Sequence, residues 1–271
     1  MAHMPKPRRN YKDSELARRL QRASGVPMDP MTISVASGLR SRMECLDLLA
    51  NNLANSGTAG YKKDIESYSL YLSEAAEEIG AADDPVTALL PVIDRQWTDF
   101  SQGVLQITGN PLDVAISGNG FLAVDGPGGT LYTRSGRLRV NAGRLETEDG
   151  YGVRLDGGAQ GLLNGAQTVE ITPSGQVFQS GQFIGQLEIA GFDNPEMLAK
   201  THGPYFQTAQ TPKPSDGEAL QGRLESSNVN TAESAVRLIN VMRQFEMLTK
   251  AASIGADMNR QAVEQVAKVG S

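Results

Sequence analysis

The chain has few of the residues on which cofactor sites and covalent cross-links depend. Its 271 residues include one cysteine, Cys45, and two histidines, His3 and His202. A single cysteine cannot form a disulfide within one chain, and it cannot build a cysteine-based metal site. A Ser-His-Asp arrangement would have to use His202, which lies in a loop-like segment. The composition therefore predicts no metal, no cofactor and no catalytic site.

Sequence motifs that carry known chemistry are also missing. The chain contains no Walker loop, no His-Glu-x-x-His pattern, no Gly-x-Ser-x-Gly elbow and no calcium loop. The tripeptide Gly118-Asn119-Gly120 lacks a third glycine and opens no helix, so it predicts a hairpin turn. We therefore expect a protein that is not an enzyme.

Charge and hydropathy argue against two further kinds of partner. The net charge is −6 at pH 7, although the first 30 residues contain seven Lys/Arg and only three Asp/Glu. An acidic body disfavours nucleic acid as a partner. No run of about 18 apolar residues occurs, so no membrane span is expected. The basic N-terminal segment also lacks the apolar centre of a secretory signal peptide.

Proline and glycine divide the sequence into three parts. No proline occurs from Met31 to Asp84 or after Pro214, and 19 of the 29 glycines lie between Gly103 and Gly191. The middle consists of short runs such as GFLAVD and RLRVN between turn residues, which is typical of β-hairpins. The predicted fold class is α+β: an all-β central domain flanked by N- and C-terminal helices that pair as an α-helical coiled coil.

The predicted domain boundaries follow these changes in composition. Residues 1–30 are expected to be an appended segment: a tag, a misassigned start or an extension. The remaining predicted segments are an N-terminal axial helix with its signature turn (31–61), a linker (62–102), a β-rich outer domain (103–223) and a C-terminal axial helix (224–271).

Both terminal helices carry apolar residues at heptad spacing. The seam residues are Leu39, Met43, Leu46 and Leu53 in the first helix and Leu238, Met242 and Phe245 in the second. An alternation of three and four residues is typical of a seam that packs against another helix. We expect the two seams to pair and their remaining apolar edges to contact neighbouring subunits. Asn230 is the predicted N-cap of the second helix, with Glu233 three residues later.

The segment LLANNLANSGTAGYKKD, residues 48–64, is predicted to end the first helix. Asn55 and Gly57 tolerate left-handed backbone angles and would stop the helix there. Gly60 would permit a second turn, after which Tyr61 packs back against the helix end. The segment is therefore interpreted as a structural stop rather than an active site.

Four polar residues around this stop need a separate explanation. Lys62 and Lys63 are expected near the negative C-terminal pole of the helix, where a cation is favourable. Asn51 and Asn52 lie inside the last turn, where capping does not require them. Our hypothesis is that these two amides form hydrogen bonds between subunits.

Three ordered motifs resemble those of the bacterial flagellar rod and hook proteins. The first covers residues 36–64, the second residues 108–153, and the third, LESSNVNTAESAVRLINVMRQFEMLTKA, residues 224–251. The signature positions are Asn51, Asn52, Asn55, Gly60 and Tyr61 in the first motif and Ser227, Asn228 and Asn230 in the third. Within the family, RQFEM at residues 243–247 favours the proximal rod type, and the distal rod type is the alternative.

The resemblance implies a function in assembly. Members of the family polymerise into the drive-shaft tube that crosses the periplasm, with the terminal helices inside and the β domain outside. They leave the cytoplasm unfolded through the flagellar type III export apparatus, without a cleaved signal peptide. The implied partners are further copies, other rod and hook proteins, and the export apparatus. The alternative function is an extracytoplasmic glycan- or protein-binding β module with a helical dimerisation stalk.

Overall fold

A computed structural model describes residues 30–72, 89–157 and 163–269 of the chain. Contacts between residues divide the chain into two compact units. The end unit contains described residues 30–43, 68–72, 89–93 and 243–269, and the central unit contains described residues 44–67, 94–157 and 163–242. The predicted N-terminal appendage, apart from residue 30, lies outside the described residues.

Two long helices lie at the two ends of the described chain. Helix α1 spans Pro30–Ala54 and helix α2 spans Thr231–Val269. Proline suits the first position of α1 because its missing N–H would have no partner there. The side chain of Asn230 accepts a hydrogen bond from the Glu233 N–H at 3.2 Å, which confirms the predicted N-cap. Neither helix is long and apolar enough, over its described residues, to cross a membrane.

The stretch after α1 is not simply extended linker. Strand β1 spans Asp64–Leu72, strand β2 spans Leu89–Thr98, and the two form a two-stranded sheet. The side chain of Thr98 donates to Asp64 at 2.7 Å, so the two strands are also joined at the end where they meet the central unit. The predicted linker thus contains regular structure on either side of residues 73–88.

Short strands make up most of the central unit, as the turn-rich sequence predicts. They are β3 (Leu105–Ile107), β4 (Val114–Ser117), β5 (Phe121–Gly126), β6 (Gly129–Thr133), β7 (Leu138–Asn141), β8 (Arg144–Thr147), β9 (Gly152–Val153), β10 (Leu155–Asp156), β11 (Val169–Ile171), β12 (Gln176–Gln179), β13 (Gln182–Leu187), β14 (Ile189–Gly191), β15 (Ala199–His202), β16 (Tyr205–Gln207), β17 (Lys213–Pro214), β18 (Glu218–Gln221) and β19 (Arg223–Glu225). A 3-10 helix, Pro195–Met197, lies between β14 and β15.

Two sheets hold most of these strands. The larger has the order β15-β16-β6-β5-β9-β8-β7, with β14 also pairing with β5 and with β17. The smaller has the order β10-β13-β12-β11. Two-residue turns join β7 to β8 and β12 to β13, and both turn residues have positive φ in each case, as at Ala142 and Gly143 (48° and 80°). Such turns match the right-handed twist of the strands that they connect.

Strand β5 lies between two hydrophobic clusters. Leu122 and Val124 belong to the larger cluster, which extends into the four-stranded sheet through residues such as Val177. Phe121 and Ala123 point to the opposite side and pack in a smaller, aromatic cluster. Because alternate side chains point to opposite faces, a strand buried on both sides reads as a continuous apolar run.

The last two strands return beside the first two of the β region. Strand β18 pairs antiparallel with β4, and β19 pairs antiparallel with β3, which sets Glu225 opposite Leu105. The chain that leads into α2 therefore runs next to the chain that enters the β region. This pairing positions the site described below.

The structure confirms a mostly β centre with one helix at each end of the described chain. The pairing of these helices as a coiled coil stays a prediction.

Candidate functional site

Helix α1 ends in hydrogen-bonded turns rather than at a left-handed residue. The Asn55 N–H donates to the Asn51 carbonyl at 3.1 Å, and the Ser56 N–H donates to the Leu53 carbonyl at 3.2 Å. Neither Asn55 nor Gly57 has positive φ, so the predicted left-handed stop is wrong at both positions. The side-chain amide of Asn55 adds a second hydrogen bond to the same Asn51 carbonyl, at 2.9 Å.

Asn52 links the helix end to the first residue of β1. Its amide nitrogen donates to the Asp64 carbonyl at 2.8 Å, and its amide oxygen accepts from the Asp64 N–H at 3.0 Å. Asn52 is only 5% exposed. The hypothesis that this side chain bonds to other subunits is therefore wrong, because its amide is buried and already paired within the chain.

Tyr61 packs back against the end of α1, as predicted. It is fully buried, and its hydroxyl donates to the side-chain oxygen of Asn51 at 2.7 Å. Asn51 is thus also bonded within the subunit. Burial, reinforced by the charge of Asp64, raises the pKa of Tyr61 well above its usual value.

Gly60 is the left-handed residue of the segment, with φ of 68°. A Cβ at this position would lie 2.2 Å from the backbone carbonyl carbon of Arg134, a distance that no real side chain could occupy. The Gly60 N–H donates to the Glu225 carbonyl at 2.7 Å. Glycine is required here because the turn lies directly against the backbone of the β region.

Glu225 is the centre of a buried ion cluster. Its carboxylate lies 2.5 Å from Lys62 Nζ and 3.4 Å from the Arg134 guanidinium, and it accepts the Gly103 N–H at 2.9 Å. The side-chain exposures are 0% for Glu225, 1% for Lys62 and 6% for Arg134. Lys62 also donates to the Ser101 carbonyl at 2.7 Å.

This cluster corrects the expectation that Lys62 lies at the pole of the helix. Burial lowers the pKa of Lys62, and the attraction of Glu225 opposes that shift. Burial also lowers the pKa of Arg134, again against the effect of Glu225. Each cation therefore depends on the same carboxylate to keep its charge in a buried environment.

A second ion pair lies next to the Tyr61 ring. Lys200 Nζ is 2.7 Å from the Asp64 carboxylate and donates to the Lys62 carbonyl at 2.6 Å. The same ammonium lies 4.2 Å from the centre of the Tyr61 ring, within cation–π range. Burial lowers the pKa of Lys200, and Asp64 opposes the shift.

The C-terminal signature binds directly to the N-terminal one. The side-chain oxygen of Asn228 accepts the Lys63 N–H at 2.8 Å, and its amide nitrogen donates to the Asp99 carbonyl at 2.8 Å. Ser227 accepts the Val229 N–H at 3.2 Å, just before the Asn230 cap. Together, residues 51–64, 99–103 and 225–230 with Arg134 and Lys200 form what we call the joint.

A third charged contact ties the start of α2 to the joint. Glu66 on β1 is 6% exposed and accepts a hydrogen bond from the Arg237 guanidinium. The thiol of Cys45 lies 3.4 Å from the same carboxylate. The single cysteine is therefore a buried side chain of α1.

The predicted seam residues are not the most buried positions of the helices. Met43 and Met242 are 52% and 47% exposed, whereas Cys45, Leu49 and Val241 are buried. The other five seam residues, Leu39, Leu46, Leu53, Leu238 and Phe245, are half-buried. The buried line of α1 also includes two polar positions, Ser41 and Asn52, which a hydrophobic pattern cannot identify. The role of the seam residues in subunit contacts stays a prediction.

The charged side chains of the joint are paired with one another: Lys62 and Arg134 with Glu225, Lys63 with Asp99, and Lys200 with Asp64. His202 is exposed and lies 3.1 Å from the Tyr151 hydroxyl. It is the last residue of strand β15, whereas the sequence predicted a loop at this position. No group of three metal-ligating side chains occurs in the part of the chain that the structure describes.

The ion cluster was not predicted from the sequence. Glu225 and Arg134 were not expected to have a role. One signal was present: the first signature contains a lysine and the third contains a glutamate, Lys62 and Glu225. If two sequence motifs lie close together in the fold, a lysine in one and a glutamate in the other are candidates for an ion pair.

Comparison with known proteins supports the resemblance. The family model described as "Flagellar hook protein FlgE/F/G D1 domain" matches residues 115–179, and "Flagellar basal body rod FlgEFG protein C-terminal" matches residues 220–265. The flagellar basal-body rod protein FlgF of Caulobacter vibrioides is 32% identical over 229 residues, covering 83% of this chain and 92% of the relative.

Two further relatives agree with this match. The FlgG rod protein of Agrobacterium fabrum is 32% identical, covering 82% of this chain and 94% of the relative. The FlgF rod protein of Mesorhizobium japonicum is 33% identical, covering 74% and 83%. The chain is therefore a structural protein of the bacterial flagellum rather than an enzyme. It belongs to the flagellar basal-body rod protein family, of the FlgF or FlgG type.

Proposed function

We propose that this chain is a subunit of the periplasmic rod and that it self-assembles through its terminal helices into the axial drive shaft. Other copies, other rod proteins and hook proteins are its partners. It reaches the rod by type III export, unfolded and without cleavage of a signal peptide. The RQFEM sequence at residues 243–247 favours a proximal position in the rod.

The joint is the observation that carries this proposal. It fixes the last turn of α1 through Asn51 and Asn52, and it fixes the segment before α2 through Asn228. The contact of Arg237 with Glu66 joins the second turn of α2 to β1. The end of α1 and the segment that leads into α2 are thereby attached to the same joint. In this proposal the two helices extend from that joint, as an axial tube with an outer β layer requires.

Exposed apolar residues on the helices supply the driving force in this proposal. Met43 and Met242 are each about half exposed in the single chain. Fully burying a side chain of this size contributes about 1.5–3 kcal/mol. Leu248 also has a side-chain carbon 3.6 Å from the position that a Cβ on Gly38 would take, which supports close packing of the two helices.

A substitution at an exposed seam residue tests the proposal. Met43→Asp adds a charge where the subunit tolerates one, because the side chain is 52% exposed. We expect an unchanged urea midpoint for the purified protein and loss of the variant from isolated basal bodies. Val104→Asp, at a position on the β region that is 72% exposed, is the matched control and should still be incorporated. Incorporation of Met43→Asp at the wild-type level would refute assembly through this seam.

A further inference from the structure

Helix α2 has a second apolar surface opposite its buried one. The buried or half-buried positions are Leu238, Val241, Phe245, Leu248 and Ala252. The exposed positions, which we call the stripe, are Arg243, Met247, Lys250, Ile254 and Met258. At about 100° per residue, the stripe covers an arc of about 80° on the far side of the helix. Glu246 and Asp257 lie along one border of it.

The stripe is unusually apolar for a surface that faces water. Met247, Ile254 and Met258 are 64%, 51% and 65% exposed. A helix at the surface of a soluble protein normally has a polar face opposite its buried face. Exposed apolar groups that recur at helical spacing indicate a surface that becomes covered by a partner. The two charged residues of the stripe, Arg243 and Lys250, are both basic.

The central unit contains a groove with the opposite charge. Its volume is about 640 Å³, and the described residues that line it include four carboxylates, those of Glu44, Asp47, Asp64 and Glu196, and one lysine, Lys200. Lys200 is paired with Asp64, and the described lining has more carboxylates than lysines. Leu48 and Trp97 provide apolar surface in the same groove.

We propose that the stripe of one copy docks into the acidic groove of the next copy. Arg243 and Lys250 would face Glu44 and Asp47, while Met247 and Ile254 would pack on the apolar lining. Side chains at positions i, i+4, i+7 and i+11 lie on one face of a helix, and they are the positions by which a helix binds in a groove. Methionine side chains suit such a contact because they adapt to an irregular surface. This inference rests on the proposed function and specifies the surfaces that would carry it.

The geometry of the contact favours a second copy as the occupant. The stripe and the groove are different surfaces of the same chain, so a contact between them is heterologous and leaves one of each unoccupied at the ends. Such a contact does not end at a symmetric dimer, and it extends into a helical filament, as a rod requires, when its rotation does not close a ring. The basic residues of segment 1–29 are the competing occupant of the groove, and the experiment below distinguishes them.

Disulfide cross-linking in isolated basal bodies tests the pairing. The native chain offers a clean background because Cys45, its one cysteine, is 1% exposed. Met247→Cys and Asp47→Cys would be introduced together in cells that have no other copy of the gene. We expect oxidation to give a reducible ladder of multimers with the double variant and none with either single variant. The control pair joins Met247→Cys to Glu218→Cys, an exposed position on β18.

The outcomes separate the docking proposal from the rod function. Incorporation of the double variant without a ladder, or an equal ladder from the control pair, would overturn the docking proposal alone. A ladder that appears only after residues 1–29 are deleted would identify that segment as the occupant and would also overturn it. Absence of the wild-type chain from basal bodies would overturn both proposals.

Charge reversal provides a test that does not depend on introduced cysteines. We expect Arg243→Glu with Lys250→Glu, or Glu44→Lys with Asp47→Lys, to lower incorporation about tenfold or more, because like charges would then meet. Co-expression of the two reversed chains should restore mixed rods. Arg260→Glu, exposed on another face of α2, is the control and should assemble normally. Failure of the reversed chains to restore one another would refute the assigned pairing.

Discussion

At the scale of the residue, Glu225 connects three separate parts of the chain. Its carboxylate binds Lys62 from the first signature and Arg134 from the β region, and it accepts the N–H of Gly103. Removing charged groups from water carries a large penalty, which a buried cluster offsets only while its partners are present. We expect this cluster to specify how the signature segment docks more than it adds net stability.

Lys62→Met tests the dependence of the cluster on its second cation. The substitution leaves the Glu225 carboxylate buried with Arg134 as its remaining cation. Breaking a buried ion pair on one side lowers the free energy of unfolding by about 3–5 kcal/mol. Urea unfolding followed by the fluorescence of Trp97, the chain's one tryptophan, measures the loss.

The adjacent lysine supplies a matched control. Lys63 lies 3.5 Å from Asp99, and the two side chains are 36% and 26% exposed. Pairs exposed to solvent contribute about 0–1 kcal/mol, so Lys63→Met should change the unfolding free energy little. Similar losses in the two variants would contradict a special role for the buried pair.

At the scale of the element, the signature turn shows what a sequence pattern can predict. The clustering of asparagine and glycine predicts a stop after α1, and Tyr61 does pack back on the helix. The contacts that give the turn its place were not predictable, since Lys62 and Glu225 are 163 positions apart. Local propensity holds no information about such a partner. The same reason explains the wrong role given to Asn52, whose partner Asp64 lies beyond the turn.

Gly60→Ala is expected to separate the signature turn from the β region. An alanine at this position would have to keep the positive φ of Gly60, and its Cβ would collide with the backbone of Arg134. Left-handed strain alone costs about 1–3 kcal/mol, and the collision adds to it. We expect a clearly lower urea midpoint and faster proteolytic cleavage between α1 and β1.

Gly57→Ala is the matched control for this prediction. Gly57 has an ordinary backbone angle, and nothing lies within 4 Å of the position of its missing Cβ. Alanine there also reduces the conformational freedom of the unfolded chain, so stability should be unchanged or slightly higher. If both substitutions lowered the stability equally, the positive φ of Gly60 and its contact with Arg134 would not be the cause of the loss.

At the scale of the whole molecule, the order helix, β region, helix follows from the sequence because each part has its own periodicity. Proline-free heptads predict the helices, and short alternating runs between glycines predict the strands. The strand pairing does not follow from these patterns, because β18 and β19 pair with strands about a hundred residues earlier. The strands on either side of residues 73–88 were also missed, although the acidic connection between them contains the turn signals Gly80 and Asp84-Pro85.

Two buried tyrosines make the stability of the central unit sensitive to alkali. Burial raises the pKa of Tyr61, and burial together with a 2.6 Å hydrogen bond to Asp149 raises that of Tyr205. In the unfolded chain each hydroxyl ionises at pH about 10. Their contribution to stability is therefore complete below pH 10 and is lost as the pH rises towards their folded values.

Ionisation of the buried lysines changes the stability of the folded chain in the opposite direction, and it does so at lower pH. Burial lowers the pKa of Lys62 and of Lys200, so the unfolded chain holds these protons longer than the folded chain does. Their contribution to stability rises with pH until the unfolded lysines lose their protons, at pH about 10.4, and is constant above that value. Above pH 10.5, ionisation of the tyrosines is therefore expected to determine how the free energy of unfolding changes with pH.

Urea unfolding at several values between about pH 10.5 and 11.5 measures that slope. Each buried tyrosine can contribute up to about 1.4 kcal/mol of lost stability per pH unit. We expect the wild-type free energy of unfolding to fall over this range and the slope to flatten in a variant with Tyr61→Phe and Tyr205→Phe. The double variant begins from lower stability because it lacks the hydroxyl bonds to Asn51 and Asp149, so the slope is the informative quantity. An unchanged slope would mean that both hydroxyls ionise as readily in the folded protein as in the unfolded chain, which their burial in the structure contradicts.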